Sequence, residues 1–276
     1  MSVQSTTAYD TTPPLGYPGA LADSGPSRTK TVLAAVIIVA GLLVVRMDGV
    51  GKGYLPTAPD AADPDAIIAT GASTAGVQNL SGVALNGAIG GDEMIPSRNL
   101  VLVLSSHANW DLTTATVTGT DADGNVIQED FVIPDAGNVT VTGVKHFATV
   151  TNLRIPAQAG TSGTFTLGTG SLLGPITGRA AHGVALYDAT REPEAYPVGY
   201  AVPVVQQGRV FVTSETTYDD GDPVYVRLIA AGAEVAGQFR ATPDANDCAL
   251  VRGARFVLPP GRTGSIGVAE IELLLS

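Results

Sequence analysis

A chain of 276 residues can bury a sizeable core, as one large β domain or as two smaller ones. With 26 acidic residues against 15 basic ones, a formal charge of -11 and only Lys30, Lys52 and Lys145 as lysines, it lacks the cationic surface that phosphates require, so no nucleic-acid partner is expected. The single cysteine, Cys248, excludes an intramolecular disulfide and a zinc site built from several cysteines, and reads as a buried, inert thiol.

The 33 glycines and 18 prolines, with Thr and Val recurring through the second half, favour strands joined by tight turns over long helices. A polar start punctuated by Pro13, Pro14, Pro18 and Pro26 predicts an extended arm that orders where it docks. The apolar run Val32 to Val45 (VLAAVIIVAGLLVV) comes next. A helix needs roughly 20 apolar residues to span hydrocarbon, and this run falls short. Asp10 and Asp23 upstream, with no clean small-residue cleavage site after it, also argue against a secretory signal. A membrane partner is therefore not expected. Two back-to-back strands buried on both faces and interrupted by Gly41 account for the run, although periodicity alone does not separate strand from helix here.

Thr57 to Asp65 (TAPDAADPD) is rich in proline and acid and predicts a linker. Beyond it, Thr114 to Gly119 (TATVTG), Asn125 to Ile133 (NVIQEDFVI) and Val139 to Gly143 (VTVTG) are short alternating runs. Asp123-Gly124 between the first two is a hairpin signal, and Gly160, Gly163, Gly168 and Gly170 punctuate the later part of this stretch. The last part of the chain reads as strands again: Gly208 to Ser214 (GRVFVTS), Pro223 to Ile229 (PVYVRLI), Arg255 to Leu258 and Ile266 to Leu275 (IGVAEIELLL). Tyr218 to Asp222 between the first two predicts a hairpin with an acidic tip.

Candidate chemistry is sparse. Asp121-Ala122-Asp123-Gly124-Asn125 has the alternating oxygens of a calcium loop but no downstream bidentate glutamate, and reads as a turn. Asp219, Asp220 and Asp222 read as solvated acids. His107, His146 and His182 are scattered without metal-ligand spacing, and no nucleophile sits in a recognisable elbow. Gly87 to Gly91 (GAIGG) lacks the Lys-Ser or Lys-Thr of a phosphate cradle and reads as a loop. No catalytic residue, metal or cofactor is assigned, and the chain is not expected to be an enzyme.

Several segments in series resemble phage structural cement proteins. They are Leu21-Ala22-Asp23-Ser24-Gly25-Pro26, Gly199 to Thr213 (GYAVPVVQQGRVFVT), Gly221 to Arg227 (GDPVYVR), Gly253-Ala254-Arg255-Phe256 and Val268 to Leu273 (VAEIEL), in matching order. The resemblance covers roughly the first 55 and last 95 residues. It implies a subunit on the outer surface of an icosahedral head that bridges copies of the major capsid protein, as a dimer or trimer. The middle stretch departs from the pattern, and Asn99 to Ser105, Val117 to Val126, Gly143 to Val150 and Gly168 to Gly174 look like β modules common in phage structural proteins.

The expected fold is all-β: an antiparallel sandwich or barrel cement domain carrying an inserted second β-sandwich. Residues 1–56 supply the arm and first strands, 66–175 the insert, and 177–276 the rest of the cement domain. The arm is the candidate partner-binding element, through Leu15, Tyr17, Leu21, Asp23 and Pro26, laid against a neighbour's exposed sheet edge. A tail-fibre or host-surface glycan-binding module is the alternative, although Trp110 is the only tryptophan available as a sugar platform.

Overall fold

The computed structural model of the chain describes residues 16–22, 25–46, 51–57, 61–106, 110, 113–133, 138–190, 195–244, 247–258 and 263–275. The first group of strands is β1 (Arg28–Ala34), β2 (Ile38–Val39), β3 (Leu43–Val45) and β4 (Lys52–Gly53). The apolar run therefore becomes three short strands rather than the expected two, and only part of it is buried. Val32, Ala34, Ile38 and Leu42 to Val45 point inward, whereas Leu33, Val36, Ile37 and Val39 are exposed. The turn at Gly41, with φ +80, ends the segment at Pro18, whose Cβ lies 2.5 Å from where a side chain on residue 41 would begin.

The middle stretch holds β5 (Ile68–Ala72), β6 (Gln78–Leu80), β7 (Arg98–Ser105), β8 (Thr114–Thr120), β9 (Val126–Val132), β10 (Val139–Thr142), β11 (Thr149–Ile155) and β12 (Thr164–Leu173). They form two four-stranded sheets, in the orders β10-β7-β12-β5 and β6-β11-β8-β9. Strand alternation explains the layering: Leu100, Leu102 and Leu104 of β7 face Ala115 and Val117 of β8 and Phe131 of β9 in one core that also takes Trp110 and Phe165. Residues 61–65 do not behave as the expected linker. Asp63 and Thr169 exchange backbone hydrogen bonds (3.1 and 2.7 Å), and the Thr166 hydroxyl donates to the Pro64 carbonyl at 2.8 Å, so the segment is docked along β12.

The last group is β13 (Ala181–Ala185), β14 (Ala195–Tyr196), β15 (Ala201–Ser214), β16 (Pro223–Arg227), β17 (Phe239–Arg240), β18 (Cys248–Val257) and β19 (Gly267–Leu274). These pair with strands from the start of the chain. The sheet runs β17-β16-β18-β19-β15-β1-β4, and β17 also pairs with β15, which closes β15, β19, β18, β16 and β17 into a small barrel. Strand β15 is the spine: Ala201 to Gln207 pair with β1, and Gln207 to Ser214 with β19. Val210, Val212, Val224, Val226, Phe239, Phe256 and Ile271 fill the barrel. The expected hairpin between Gly208–Ser214 and Pro223–Ile229 does not form, because β18 and β19 lie between β15 and β16. The turn at Tyr218 to Asp222 instead folds onto β18, where Gly221 N donates to Phe256 O and Phe256 N to Asp222 O, both at 2.9 Å.

Candidate functional site

The sequence points first to the N-terminal arm. Leu15 and Asp23 lie outside the described residues. The described part, Gly16 to Ala22, runs antiparallel along β15 of its own chain. Gly19 N donates to Phe211 O (2.7 Å), Phe211 N to Ala20 O (2.9 Å) and Ala22 N to Arg209 O (2.9 Å), with Leu21 opposite Val210. The Tyr17 ring stacks on Tyr187, centroids 5.8 Å apart, and Tyr187 N donates to Gly19 O. The backbone of Gly19 to Ala22 is thus used within the chain, while the side chains of Tyr17, Leu21 and Pro26 remain exposed. Gly19 makes this docking possible: its φ is +86, and a Cβ there would sit 2.7 Å from Tyr187 N and 2.8 Å from Ala185 O.

The calcium-like loop is committed to other bonds. Asp121 Oδ1 accepts from the backbone N–H groups of Asp123 and Asn125, both at 2.9 Å, and Gly124 takes φ +85 to close the turn. Burial alone would raise the Asp121 carboxyl, but hydrogen bonds from Asn125 and Asp123 and the charge of Arg252 bring it below the usual carboxylate range. Asp123 is ion-paired with Arg252 and the Ala122 carbonyl accepts from the Thr177 hydroxyl, so the β8–β9 tip is pinned to β18 and the segment before β13. Nearby, Glu93 meets Arg46 at 3.3 Å and Arg179 at 3.5 Å. Carboxylates of the middle stretch thus face arginines of the two chain ends across this boundary.

The remaining candidates are held structurally. Asp222 Oδ2 accepts from Asp219 N, and Asp220 Oδ1 from Leu258 N, at 2.8 and 3.0 Å. His182 is buried, with Nε2 donating to the Lys52 carbonyl at 3.1 Å and Nδ1 accepting from the Lys30 ammonium at 3.5 Å, which ties β13 to β4 and β1. Burial holds His146 below its ordinary value against the opposing charge of Glu129, and burial pushes the Cys248 thiol up. His107 lies outside the described residues. Among the described residues no group of three His, Cys, Asp or Glu side chains is placed to hold a metal ion. No described helix is long and apolar enough to cross a membrane. Trp110 is buried edge-on to Phe165, its indole N–H donating to the Ser105 carbonyl at 2.8 Å, and offers no open ring face.

Sequence reasoning missed a charged network at one end of the barrel. Arg227 is fully buried and bonds Glu215 Oε1 (2.7 Å), Asp244 Oδ2 (3.1 Å), Glu234 and the Ile229 carbonyl, while Arg240 reaches Glu215 and Asp244 at 3.4 and 2.8 Å. The hydrogen bond that Arg227 donates to Glu215 raises the Arg227 guanidinium above its ordinary value, and the bond from Arg227 lowers the Asp244 carboxyl. The sequence signal is Arg227 itself, a charged residue that directly follows the inward Val224 and Val226.

These features define an all-β protein built on a closed barrel, whose spine strand β15 pairs with strands from the first and the last parts of the sequence. The sequence model of the structural cement protein family (E217 gp24/Pam3 gp6) matches residues 133–274, just over half of the chain, and the chain belongs to this family of phage structural proteins. The matched region contains every strand of the barrel and begins within the middle stretch, at Ile133. No curated protein matches the chain.

Proposed function

We propose that the protein binds the outside of the assembled icosahedral head and stabilises contacts between neighbouring major capsid proteins. The family match over residues 133–274 carries this reading, because it covers the whole barrel. Mass action supplies the mechanism: a subunit that binds only the assembled shell stabilises that state by its binding free energy, and many weak symmetric copies sum to a large effect. Such a role asks for a rigid body and a complementary surface and needs no active site.

We further read residues 66–175 as a domain inserted into the cement fold and projecting from the shell. Its two sheets pair only among themselves, and its buried apolar cluster is distinct from that of the barrel, against which only its Ile95 and Leu173 pack, as expected of a domain inserted at a loop whose ends lie close together. A glycan-binding role for this part is not supported, since Trp110 is buried in its core.

Co-sedimentation of the purified protein with expanded heads that lack it tests the main proposal. Saturable binding at a fixed ratio to the capsid subunit, with a raised melting temperature of the heads, is the expected result. No binding at any concentration would overturn it. A head reconstruction with residues 66–175 against the capsid floor would overturn the outward placement of the insert.

A further inference from the structure

The insert and the nine-stranded sheet meet along a narrow junction. No strand pairing and no backbone hydrogen bond joins the two among the described residues. The return crossing is one residue long. Gly174 N donates to Ser97 O (2.7 Å) on the insert side, whereas Ile176 N donates to Leu250 O (2.7 Å) and Ile176 O accepts from Arg252 N (2.9 Å) on β18. Only Pro175 lies between these anchored residues, and its ring fixes φ, which leaves the crossing few free torsions and restricts motion there to a swing. The outgoing crossing runs from Tyr54, paired with Val45, to Asp63, paired with Thr169. Apolar contact across the junction comes from Ile95 and Leu173. Beside it, a cleft lined by Val45, Pro56, Ile95, Pro96, Ile176 and Leu228 leaves the two sides incompletely packed. A junction with so little apolar contact permits relative motion.

The other contacts across the junction run in one direction of charge. Among the described residues, every carboxylate in them belongs to the insert and every guanidinium to the sheet: Glu93 meets Arg46 and Arg179, and Asp123 meets Arg252. Arg46 N donates to Ala180 O at 2.7 Å, which brings Arg46 and Arg179 together on Glu93. Arg179 also lies against Gly124, so one guanidinium touches both the Glu93 pair and the β8–β9 tip. The Thr177 hydroxyl adds a neutral bond to the Ala122 carbonyl of the same tip. Asp121 shapes that tip by accepting from Asp123 N and Asn125 N, so Asp123 is presented whether or not Arg252 is near. Exposed pairs of this kind are individually weak and are screened by salt. We propose that the insert is a hinged arm with two orientations: latched, where Glu93 and Asp123 clasp the three arginines, and released, where it has swung on Pro175 and freed them. The proposal rests on reading residues 66–175 as an inserted domain. Ionic strength sets the balance, because it weakens the clasp without touching the covalent hinge.

The test is double electron–electron resonance on the full chain, with spin labels at Val132→Cys, on β9 at the end far from the tip, and Leu274→Cys, on β19. Both positions are exposed, and Cys248 is buried, so labelling falls on the two introduced thiols. The expected result is one distance at low salt and a second that grows as salt rises to about 1 M, where the screening length is about 3 Å. Arg179→Ala and Arg252→Ala should each raise the ratio of the second distance to the first about two- to fivefold at low salt, and Arg252→Lys, which keeps the charge, should stay near the parent. A single distance that neither salt nor these variants move overturns the hinge. Amide exchange on the same chain separates the two ways of failing. If the cores of the insert and of the barrel open independently while the distance stays fixed, the inserted-domain reading stands and the hinge falls; if they open only together, both fall.

Discussion

Arg227 holds its Nε 2.7 Å from Glu215 Oε1 with both side chains almost wholly out of water, 1% and 3% exposed. A buried pair of this kind costs desolvation that only good geometry and further bonds offset, and Asp244, Glu234, Arg240 and the Ile229 carbonyl supply those bonds. Replacing Arg227 alone leaves Glu215 charged and buried. Arg227→Met should cost about 3–5 kcal/mol in urea unfolding, and combining it with Glu215→Leu should recover much of that loss. A single substitution costing under about 1 kcal/mol would show that the network contributes little.

The same network makes stability depend on pH. The Asp244 carboxyl is lower in the folded chain than in the unfolded one, first through its bond from Arg227 and then through the charge of Arg240. Its contribution is therefore present above the ordinary carboxylate range and is lost as pH falls through the folded value. Melting temperatures from neutral pH downward should drop more steeply in the parent than in Asp244→Asn. Parallel curves would remove Asp244 from the acid response.

The ion pairs between the middle stretch and the rest of the chain are expected to orient more than to stabilise. Arg46, Arg179 and Arg252 are 29%, 45% and 55% exposed at their side chains, so each pair is open to salt. A double-mutant cycle on Arg252→Ala and Asp123→Asn should give a coupling of about 0–1 kcal/mol that shrinks as salt rises. A larger, salt-independent coupling would mark the contact as effectively dry.

The arm can be released at one residue. Gly19→Ala forces a side chain into a left-handed backbone against Tyr187 N and Ala185 O, and should speed amide exchange at Phe211, whose N–H bonds the Ala20 carbonyl. The barrel beyond β15 should keep its protection. Deleting residues 1–26 should weaken head binding if the arm also contacts the shell; undiminished binding would confine its role to bracing β15.

Much of the strand content is legible in the sequence because it rests on local chemistry. Alternation in TATVTG and VTVTG, and Asp-Gly at 123–124, predicts β8, β10 and the β8–β9 turn at nearly the right places, since a strand with one buried face must alternate and a tight turn needs a residue that accepts positive φ. The differences are questions of partnership. Tyr218 to Asp222 resembles a hairpin tip because nearby strands usually pair, yet β16 finds β18 and β17 instead. Hydropathy suggests that the apolar run is buried on both faces because it records how apolar a residue is and not which side its neighbours cover.

Composition, charge and alternation are sums over single residues and short runs, and with a few short motifs in series they suffice to define an acidic, glycine-rich, all-β protein of the phage structural class. They do not contain the long-range partnerships: that β15 gathers β1, the arm, β13, β17 and β19, that Arg227 meets Glu215, and that Asp123 meets Arg252 emerge with the folded chain. Each depends on pairings between residues distant in the chain, whose closure entropy is repaid only by the complete set of contacts. No local window of sequence contains that set.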